Sequence, residues 1–525
     1  MKKTVFFSIF CIFPQLIFGQ IALSSTQFKK LNYTIYAIKN LYVDTVNEVQ
    51  LVDNAIVGML EKLDPHSVYI TAKEAKSANE QIQGSFEGVG IQFQMFRDTL
   101  LVMQTIPNCP AEKVGIVLGD KIIRVDSINI AGNHTPTSRI MQLLRGKRGT
   151  KVGVRVVRQN VPQPIDFVVT RDKIPLYSVE AAYEIAPEVG YIKINNFSAT
   201  TIDEYKKAFA ELNTKKIKHL IIDLQSNGGG LLDAATDLLS EFLPKNSMLV
   251  YTKGEHLQKM EYKAEKTGDF QKGDLVVLVD EYSASASEIV SGALQDWDRA
   301  VIVGRRTFGK GLVQRGLNLE DGSLIRLTVS KYYTPSGRNI QKPYNSGKEK
   351  YYQELVERIK HGELQNADSI NFPDSLKYKT LTLKRTVYGG GGIMPDVFVP
   401  LDTTRFTNYH RNIIAKGVFN QTMIEYIENE KANIKNAFQT FENYNQTFVV
   451  PDELLQKLVE NATNAKIELN AAQYEKSKAL ITLQIKAFIA RSVWQNADYY
   501  KIMNTQDPII LKALEVLKNY KHFLK

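Results

Sequence analysis

Residues 275–297 read LVVLVDEYSASASEIVSGALQDW, an apolar strand followed by small residues and then by a helical pattern. The same order occurs upstream, where HLIIDL (219–224) leads through a glycine-rich turn into LLDAATDLLSEFL (231–243). Another apolar run, RAVIVG (299–304), follows downstream. Strands that alternate with helices are typical of a parallel sheet covered by helices. We therefore predict an α/β core over residues 172–402.

The pattern changes on both sides of this core. Apolar residues at helical spacing predict an N-terminal helical region over 21–85. Short β-rich runs separated by glycine-containing turns predict a compact β-rich domain over 86–171, with one helical piece near 137–144. Helical periodicity rich in Asn, Lys, Glu and Gln predicts a C-terminal helical region over 403–525. A chain of 525 residues is long enough for several such units, at roughly 150 residues each.

One stretch inside the predicted core does not follow the strand and helix pattern. Residues 345–374 are polar and charged, and we interpret them as a loop or an insertion.

The amino end has the pattern of a secretory signal. Lys2 and Lys3 precede an apolar run from Val5 to Phe18, and a polar stretch follows. The run is shorter than the roughly 20 residues that a membrane-spanning helix needs. We predict a signal peptide over 1–20 and an exported, periplasmic chain; the alternative is an uncleaved signal that anchors the chain in the cell envelope.

Composition excludes several classes of protein. The 44% hydrophobic and 23% charged fractions are those of an ordinary globular protein. Lys plus Arg (66) exceed Asp plus Glu (56), but the excess is spread along the chain, which argues against a nucleic-acid partner. The two cysteines, Cys11 and Cys109, are too few for a disulfide framework or a thiolate metal site.

Ser285 lies where the apolar strand of 275–297 meets the helical pattern. Free amide groups and the helix dipole at such a junction stabilise negative charge, which suits an alkoxide or an oxyanion. The alternative is that Ser283, Ser285 or Ser287 only caps the helix. Taken alone, the serine run favours the cap.

A serine nucleophile needs a base, and Lys310 in GRRTFGKG (304–311) is a candidate. A lysine acts as a base when burial lowers its pKa toward neutrality. The same octet nearly matches a phosphate-binding loop, but Gly311 stands where that loop has Ser or Thr. A nucleotide hydrolase is therefore a disfavoured alternative. The turn NGGG (227–230) either offers amides to a reacting carbonyl or is a plain connection.

Eight stretches in a fixed order carry a resemblance to a known family: LDPHSVY (63–69), EGVGIQF (87–93), PAEKVGIVLGDKIIRVD (110–126), DLQSNGGGLL (223–232), SASASEIVSGALQD (283–296), TFGKGLVQ (307–314), YTPSGRNIQ (333–341) and GGGGIMPD (389–396). Together they resemble the carboxy-terminal processing peptidases, which are serine–lysine endopeptidases of the bacterial envelope and of chloroplasts. The resemblance implies that 172–402 is an α/β protease core and that 86–171 is an inserted PDZ-like domain.

The resemblance also implies roles for residues that match the family motifs. The nucleophile falls on Ser285, the general base on Lys310, and the residue that orients the lysine on Gln314. The oxyanion donors fall on the amides of Ala286 and of a glycine in the 228–230 run, of which we favour Gly229. Acyl transfer by this set needs no metal and no cofactor.

Gln314 follows Lys310 by four residues, so both would share a face if the segment made a helical turn. We interpret Asp64, His66 and Asp296 as structural residues. Gln225 is a departure from the family, which usually has arginine at that position.

In PDZ-like domains a loop receives the free carboxylate of a peptide. Here the resemblance places that loop at Phe86, Gly88, Val89, Gly90 and Ile91, and implies protein or peptide substrates with accessible, apolar carboxyl termini. The competing hypothesis is a noncatalytic peptide-binding scaffold. The helical ends either support a homo-oligomer or an adaptor or simply pack on their own domain, and amphipathic helices more often do the latter.

Overall fold

The computed structural model describes residues 25–96, 98–159 and 161–524. The predicted signal peptide, residues 1–20, lies outside these ranges. The helices are α1 Ser25–Leu41, α2 Glu48–Glu61, α3 Ala72–Gln83, α4 Pro110–Lys113, α5 Thr137–Leu144, α6 Thr201–Asn213, α7 Leu232–Ser240, α8 Ala286–Asp296, α9 Lys348–Lys360, α10 Asn408–Ala415, α11 Val418–Ala437, α12 Phe441–Thr447, α13 Asp452–Asn464, α14 Ala471–Val493, α15 Asn496–Met503, α16 Pro508–Lys518 and α17 Tyr520–Phe523.

The strands follow the same numbering along the chain. They are β1 Val68–Ile70, β2 Ser85–Gly88, β3 Ile91–Phe96, β4 Thr99–Thr105, β5 Lys121–Val125, β6 Ile128–Asn129, β7 Lys151–Val157, β8 Ile165–Thr170, β9 Asp172–Pro175, β10 Val179–Ala186, β11 Val189–Ile194, β12 His219–Asp223, β13 Met248–Lys253, β14 Met260–Lys263, β15 Asp274–Val279, β16 Val301–Gly304, β17 Leu312–Asn318, β18 Leu324–Tyr333, β19 Lys377–Lys379, β20 Thr386–Tyr388 and β21 Val397–Phe398.

The chain divides into two compact units, and the boundary follows Leu63. The first contains α1 and α2, and α2 begins with the side chain of Asn47 accepting the N–H of Gln50 at 3.1 Å. Large apolar side chains on these two helices are exposed, among them Phe28, Tyr36 and Val49. The predicted helical region 21–85 therefore extends past this unit, because β1 and α3 belong to the second one.

The central sheet of the second unit has the order β10-β11-β12-β15-β16-β21. Its β11, β12, β15, β16 and β21 are parallel, and β10 is an antiparallel edge strand. Apolar side chains on both faces explain this arrangement. One face packs under α6, α7 and α8, and the other packs under α16. The predicted α/β core is confirmed.

The carboxyl ends of parallel strands meet at one edge of a sheet. The chain leaves β12 into the NGGG turn, β15 into the serine run, and β16 into the lysine loop. These three connections therefore lie side by side. A second, antiparallel sheet, β1-β18-β13-β14 with β17 paired to β18, supplies the strands beside them.

The inserted β-rich domain is confirmed as a PDZ-like fold. Strands β3, β4, β5, β7 and β8 form its antiparallel sheet, with β6 paired to β5, and α5 covers an apolar core. The two-stranded ladder β2–β9 joins it to the rest of the unit. The helical piece predicted near 137–144 coincides with α5.

The C-terminal helical region is also confirmed: α10 to α15 pack around one apolar cluster, and α16 and α17 lie against the central sheet. Of the two interpretations of residues 345–374, a loop or an insertion, the loop alternative is wrong for residues 348–360, which form α9. This helix buries only Tyr351 and Arg358, so its apolar periodicity is weak and its charges dominate the sequence pattern. Among the described residues no helix has the length and apolar character to cross a membrane.

Candidate active site

Ser285 occupies the N-cap position of α8 in a conformation that is unusual for a residue with a side chain. Its main-chain angles are φ 56° and ψ −112°. Such angles cost about 1–3 kcal/mol and persist where the surrounding structure imposes them, often at functional sites. The strained turn therefore marks Ser285 within the serine run.

The three hydroxyls of the serine run have different partners. Ser283 donates to the carbonyl of Leu224 at 2.8 Å, and Ser287 donates to the carbonyl of Asn227 at 2.9 Å. Both side chains are fully buried. The half-buried Ser285 hydroxyl donates to no carbonyl or carboxylate oxygen in the described part of the chain. Ser285 is also the N-cap residue of α8 and forms a capping box with Glu288, whereas the hydroxyls of Ser283 and Ser287 bond to carbonyls outside the helix. The capping alternative therefore applies to Ser285 itself and leaves its hydroxyl hydrogen free for other chemistry.

Glu288, on the first turn of α8, was missed by sequence reasoning. Its fully buried carboxylate accepts the N–H of Ser285 at 2.8 Å and the N–H of Lys310 at 2.9 Å. It also accepts the N–H of Gly309 at 2.7 Å and the hydroxyl of Thr307 at 2.5 Å. One side chain thus fixes the main chain of both the serine turn and the lysine loop. The sequence did carry a signal for this residue: an acidic side chain that directly follows a run of small residues, where it is expected to be buried.

Burial raises the pKa of Glu288 to about 7, although its four hydrogen bonds favour the charged form. All four partners donate in the observed arrangement. Only a carboxylate offers enough acceptor sites for all of them.

Tyr332 makes a second link between the serine turn and the lysine loop. Its fully buried phenol lies 3.1 Å from the carbonyl oxygen of Ser285 and 2.5 Å from that of Lys310. The N–H of Phe308 in the same loop donates to the carbonyl of Ser283 at 3.0 Å. The two segments are therefore held together at several points, although 25 positions separate Ser285 from Lys310.

The side chain of Lys310 is partly buried. Burial lowers the pKa of its ammonium, and the nearby Arg326 guanidinium lowers it further. The carboxylates of Glu288 and Asp64 oppose this shift but do not cancel it. The direction is the one that a general base requires.

The lysine loop does not have the surroundings of a phosphate-binding loop. Residues 304–311 connect β16 to β17, and a strand follows where a phosphate loop needs a helix N-terminus. In the described part of the chain, no group of three His, Cys, Asp or Glu side chains is arranged to hold a metal ion.

Gln314 lies in β17, so the helical turn that would place it on one face with Lys310 does not form. The pairing of β17 with β18 is irregular between Val313 and Gln314, and Gln314 stands opposite Thr328. Its side-chain Nε2 lies 3.5 Å from the Thr328 hydroxyl oxygen. Among the described residues no hydrogen bond joins the Gln314 side chain to Lys310 or to Ser285.

The NGGG turn packs directly against the serine turn. A Cβ on Gly229 would lie 2.8 Å from the Cβ of Ser285 and 2.9 Å from the amide nitrogen of Ala286, and its φ is +99°. Only glycine allows this approach. The N–H of Gly229 donates to the side chain of Asn227 at 2.9 Å, so an oxyanion there would compete with that acceptor. The Ala286 amide is in the first turn of α8 and has no intrahelical partner.

The DPHS turn lies beside the lysine. Asp64 accepts the main-chain N–H groups of His66 and Ser67 at 2.8 and 3.0 Å, which makes it a structural turn residue as expected. The ring of His66 contacts the hydroxyl of Tyr351 at 2.9 Å. Burial lowers the pKa of His66 to about 4, and the Lys310 ammonium acts in the same direction. This turn is therefore within electrostatic range of the proposed base.

Asp296 has the surroundings of a structural residue. Its fully buried carboxylate pairs with Arg338 at 2.8 Å and accepts the N–H of Ser336 at 2.8 Å. A buried cation lies beside Gln225. The buried Lys193 ammonium lies 2.6 Å from the Gln225 carbonyl and 3.2 Å from Asp223.

A groove on the PDZ-like domain contains four of the five predicted peptide-binding residues. It has a volume of about 400 Å³ and lies between β3 and α5. Phe86, Val89, Gly90 and Ile91 line it, and Gly88 ends β2 beside it. Gly90 has φ +83°, and a Cβ there would lie 2.5 Å from the Cβ of Cys109. The loop conformation therefore requires glycine at this position.

Family models match four segments of the chain. Residues 188–347 match peptidase family S41, and residues 88–169 match a PDZ domain. Residues 19–74 match the N-terminal domain of the activating protease CtpB, and residues 409–495 match a family of unknown function.

Individual relatives extend these matches over most of the chain. The chain is 32% identical over 441 residues to a probable CtpA-like serine protease of Staphylococcus saprophyticus, covering 82% of this chain and 86% of the relative. The chain belongs to the carboxy-terminal processing protease family. It is 38% identical over 331 residues to the carboxy-terminal processing protease CtpA of Bacillus subtilis, covering 62% of this chain and 70% of that one.

A solved photosystem II D1 C-terminal processing protease is 28% identical, with a TM-score of 0.34, over 58% of this chain and 83% of that one. As a member of the family, the chain is a serine-type peptidase and therefore a hydrolase. Family membership excludes the nucleotide hydrolase.

Proposed function

We propose that this carboxy-terminal processing protease is exported and cleaves proteins with Ser285 as nucleophile, Lys310 as general base and Gln314 as the residue that orients the lysine. One observation carries the proposal. Glu288 and Tyr332 hold the main chain of Ser285 and that of Lys310 together, on loops that leave neighbouring parallel strands. Strain at Ser285 and the lowered pKa of Lys310 support the same assignment.

The reaction is an acyl transfer in two halves. Neutral Lys310 takes the hydroxyl proton of Ser285 on Nζ while Oγ bonds to the peptide carbonyl carbon. The amide of Ala286, with that of Gly229, stabilises the negative oxygen. The lysine ammonium then gives its proton to the leaving amine, and an acyl-enzyme remains. Lys310 then takes a proton from water as the water oxygen bonds to the acyl carbon; the bond from that carbon to Ser285 Oγ breaks, and the Lys310 ammonium returns the proton to Oγ, which restores the serine and the neutral lysine.

Substrates are bound through their carboxyl ends in the groove of the PDZ-like domain. Main-chain amides near Gly90 suit a free carboxylate, and the edge of β3 suits an extended peptide. Apolar lining residues, among them Val89, Ile91 and Met141, favour an apolar terminal side chain. The groove therefore supports protein or peptide substrates with accessible, apolar carboxyl termini.

Export rests on the amino-terminal pattern of residues 1–20, and periplasmic localisation stays a prediction. Association through the helical ends also stays a prediction.

The decisive experiment compares the mature chain with Ser285→Ala and Lys310→Ala on an unfolded protein that ends in an apolar carboxyl terminus. Both variants should lose cleavage while keeping the thermal midpoint within a few degrees. Lys331→Ala is the matched control, because Lys331 is an exposed lysine on β18. Cleavage by Ser285→Ala or Lys310→Ala at the rate of the control would refute the assignment.

A binding measurement addresses the scaffold hypothesis. An apolar-ended peptide that binds the groove of a chain without any peptidase activity would favour a scaffold. A wild-type chain that cleaves, together with a Ser285→Ala chain that binds the peptide but does not cleave, would exclude it.

A further inference from the structure

A chain of polar contacts connects the DPHS turn to Gln314. The Thr328 hydroxyl oxygen lies 3.0 Å from Asp64 Oδ1 and 3.5 Å from Gln314 Nε2. The N–H of Thr328 donates to the Ser67 hydroxyl at 3.1 Å, and that hydroxyl donates to Asp64 Oδ2 at 2.5 Å. These contacts lie where β18 pairs with both β1 and β17.

The number of hydrogens on each group decides which group donates and which accepts in these contacts. An ionised carboxylate only accepts, so the single hydroxyl hydrogen of Thr328 points to Asp64. The Thr328 oxygen therefore faces Gln314 with its lone pairs, and Gln314 must present its NH₂ group there. The carbonyl oxygen of the Gln314 amide is then turned away from Thr328.

We propose that Asp64 and Thr328 are positioning residues that fix the amide of Gln314 with its oxygen available to Lys310. This inference rests on the proposed function, in which Gln314 orients Lys310. Neither Asp64 nor Thr328 touches the reacting atoms. They act through the amide, and removal of the Thr328 hydroxyl leaves Gln314 free to turn by 180° about its last bond.

Asp64 also acts on the lysine through its charge. The groups that face Lys310 electrostatically are Asp64 and His66 in the DPHS turn, Arg326 on β18 and Glu288 on α8. Asp64 raises the pKa of Lys310, so loss of its charge lowers that pKa. Positioning and charge are therefore separable by substitution.

Asn and Ala at position 64 separate the two effects. Asp64→Asn keeps an oxygen acceptor for the Thr328 hydroxyl and for the two turn amides, so Gln314 keeps its orientation. We expect its kcat at high pH to stay within about two-fold of wild type, and the acid limb of its pH profile to move to lower pH. Asp64→Ala loses both effects, and its kcat should fall about ten-fold or more, because the Thr328 hydroxyl loses its acceptor together with the two turn amides and the Ser67 hydroxyl.

The central test uses Thr328→Val, which removes the hydroxyl at nearly constant volume. Its kcat should fall about ten-fold with KM changed less than about two-fold, since the substrate is not contacted. Thr328→Ser should restore kcat. Thr252→Val, a buried threonine on the neighbouring strand β13, is the matched control and should keep wild-type kcat.

Coupling to Gln314 distinguishes positioning from a general structural role. On a Gln314→Ala background, Thr328→Val should change kcat less than about two-fold further, because the residue through which it acts is absent. An equal loss on both backgrounds, or wild-type kcat for Thr328→Val, would overturn the inference.

Three further outcomes keep the inference distinct from folding effects and from the proposed function. If Thr328→Val does not fold, the comparison of Asp64→Asn with Asp64→Ala decides, and equal kcat in these two overturns the inference. If Lys310→Ala keeps full cleavage, the proposed function fails and the inference falls with it. If Lys310→Ala is inactive and Thr328→Val is fully active, only the inference fails.

Discussion

Replacement of Glu288 by glutamine is the most informative change to the site, because it keeps size and shape and removes only charge and acceptor capacity. The two carboxylate oxygens of Glu288 each face at least one main-chain N–H: Gly309 on one side, and Ser285 and Lys310 on the other. A main-chain N–H cannot turn away. In either orientation, the NH₂ group of the introduced glutamine therefore opposes at least one donor.

The size of the expected fall in kcat follows from the hydrogen bonds that the Glu288→Gln protein can no longer make. In its better orientation the glutamine amide nitrogen faces Thr307, whose hydroxyl can turn to accept, and one N–H, that of Gly309, loses its acceptor. A hydrogen bond to a charged group contributes about 1.5–3 kcal/mol. A loss of that size in the positioning of Ser285 and Lys310 corresponds to a fall in kcat of roughly 10- to 100-fold. Stability should change less, because the variant no longer buries a charge.

The assay is kcat and KM on an unfolded protein with an apolar carboxyl end, with thermal unfolding as the fold control. Folding raises the pKa of Glu288 from 4.5 to about 7, so the folded chain holds this proton more tightly than the unfolded chain. The proton on Glu288 therefore adds to the free energy of unfolding in full below about pH 4.5. This contribution declines as the pH rises through about 7. Glu288→Gln should lack this decline. Wild-type kcat in a folded Glu288→Gln protein would refute the reasoning.

Three other changes test separate parts of the structure. Arg326→Gln removes a cation that lowers the pKa of Lys310. The acid limb of the pH profile of kcat/KM should therefore move to higher pH by less than about one pH unit. A shift to lower pH would contradict the assigned effect of Arg326. Tyr332→Phe leaves the carbonyls of Ser285 and Lys310 without their shared donor, and the free energy of unfolding in urea should fall by about 1–3 kcal/mol, with a lower kcat. An unchanged free energy of unfolding and an unchanged kcat would count against the link that Tyr332 makes between the serine turn and the lysine loop. Met141→Lys places a charge in the peptide groove, at a side chain that is 39% exposed. KM for an apolar-ended substrate should therefore rise about ten-fold at constant kcat. An unchanged KM would show that the groove does not bind the substrate.

The fold was predictable where the pattern of apolar residues is local. Buried strands such as β12 and β15 are continuous apolar runs, and α7 and α8 follow them with helical spacing. Helix α9 was missed because its buried face consists of Tyr351 and Arg358, which do not form an apolar stripe. The division after Leu63 was also missed, since α1, α2 and α3 share the same helical periodicity.

The candidate site was predictable only in part. Family motifs supplied Ser285 and Lys310, whose catalytic roles stay a proposal. The expectation of a helical turn between Lys310 and Gln314 was wrong, because that segment pairs with β18 as a strand. A spacing of four residues places two side chains on one face only in a helix. Glu288 was not identified because its four donors come from residues up to 22 positions away.

The amino-acid sequence by itself determined the alternation of strands and helices, the order of the motifs and the identity of the nucleophile and base candidates, because hydrophobic periodicity and short motifs are properties of neighbouring residues. Only the tertiary structure decided that Glu288 joins the serine turn to the lysine loop, and that Asp64 meets Thr328 across 264 positions of chain. The contact of Asp64 with Thr328 depends on the register of β18 between β1 and β17. Register is set by the packing of whole sheets, which no local stretch of sequence contains.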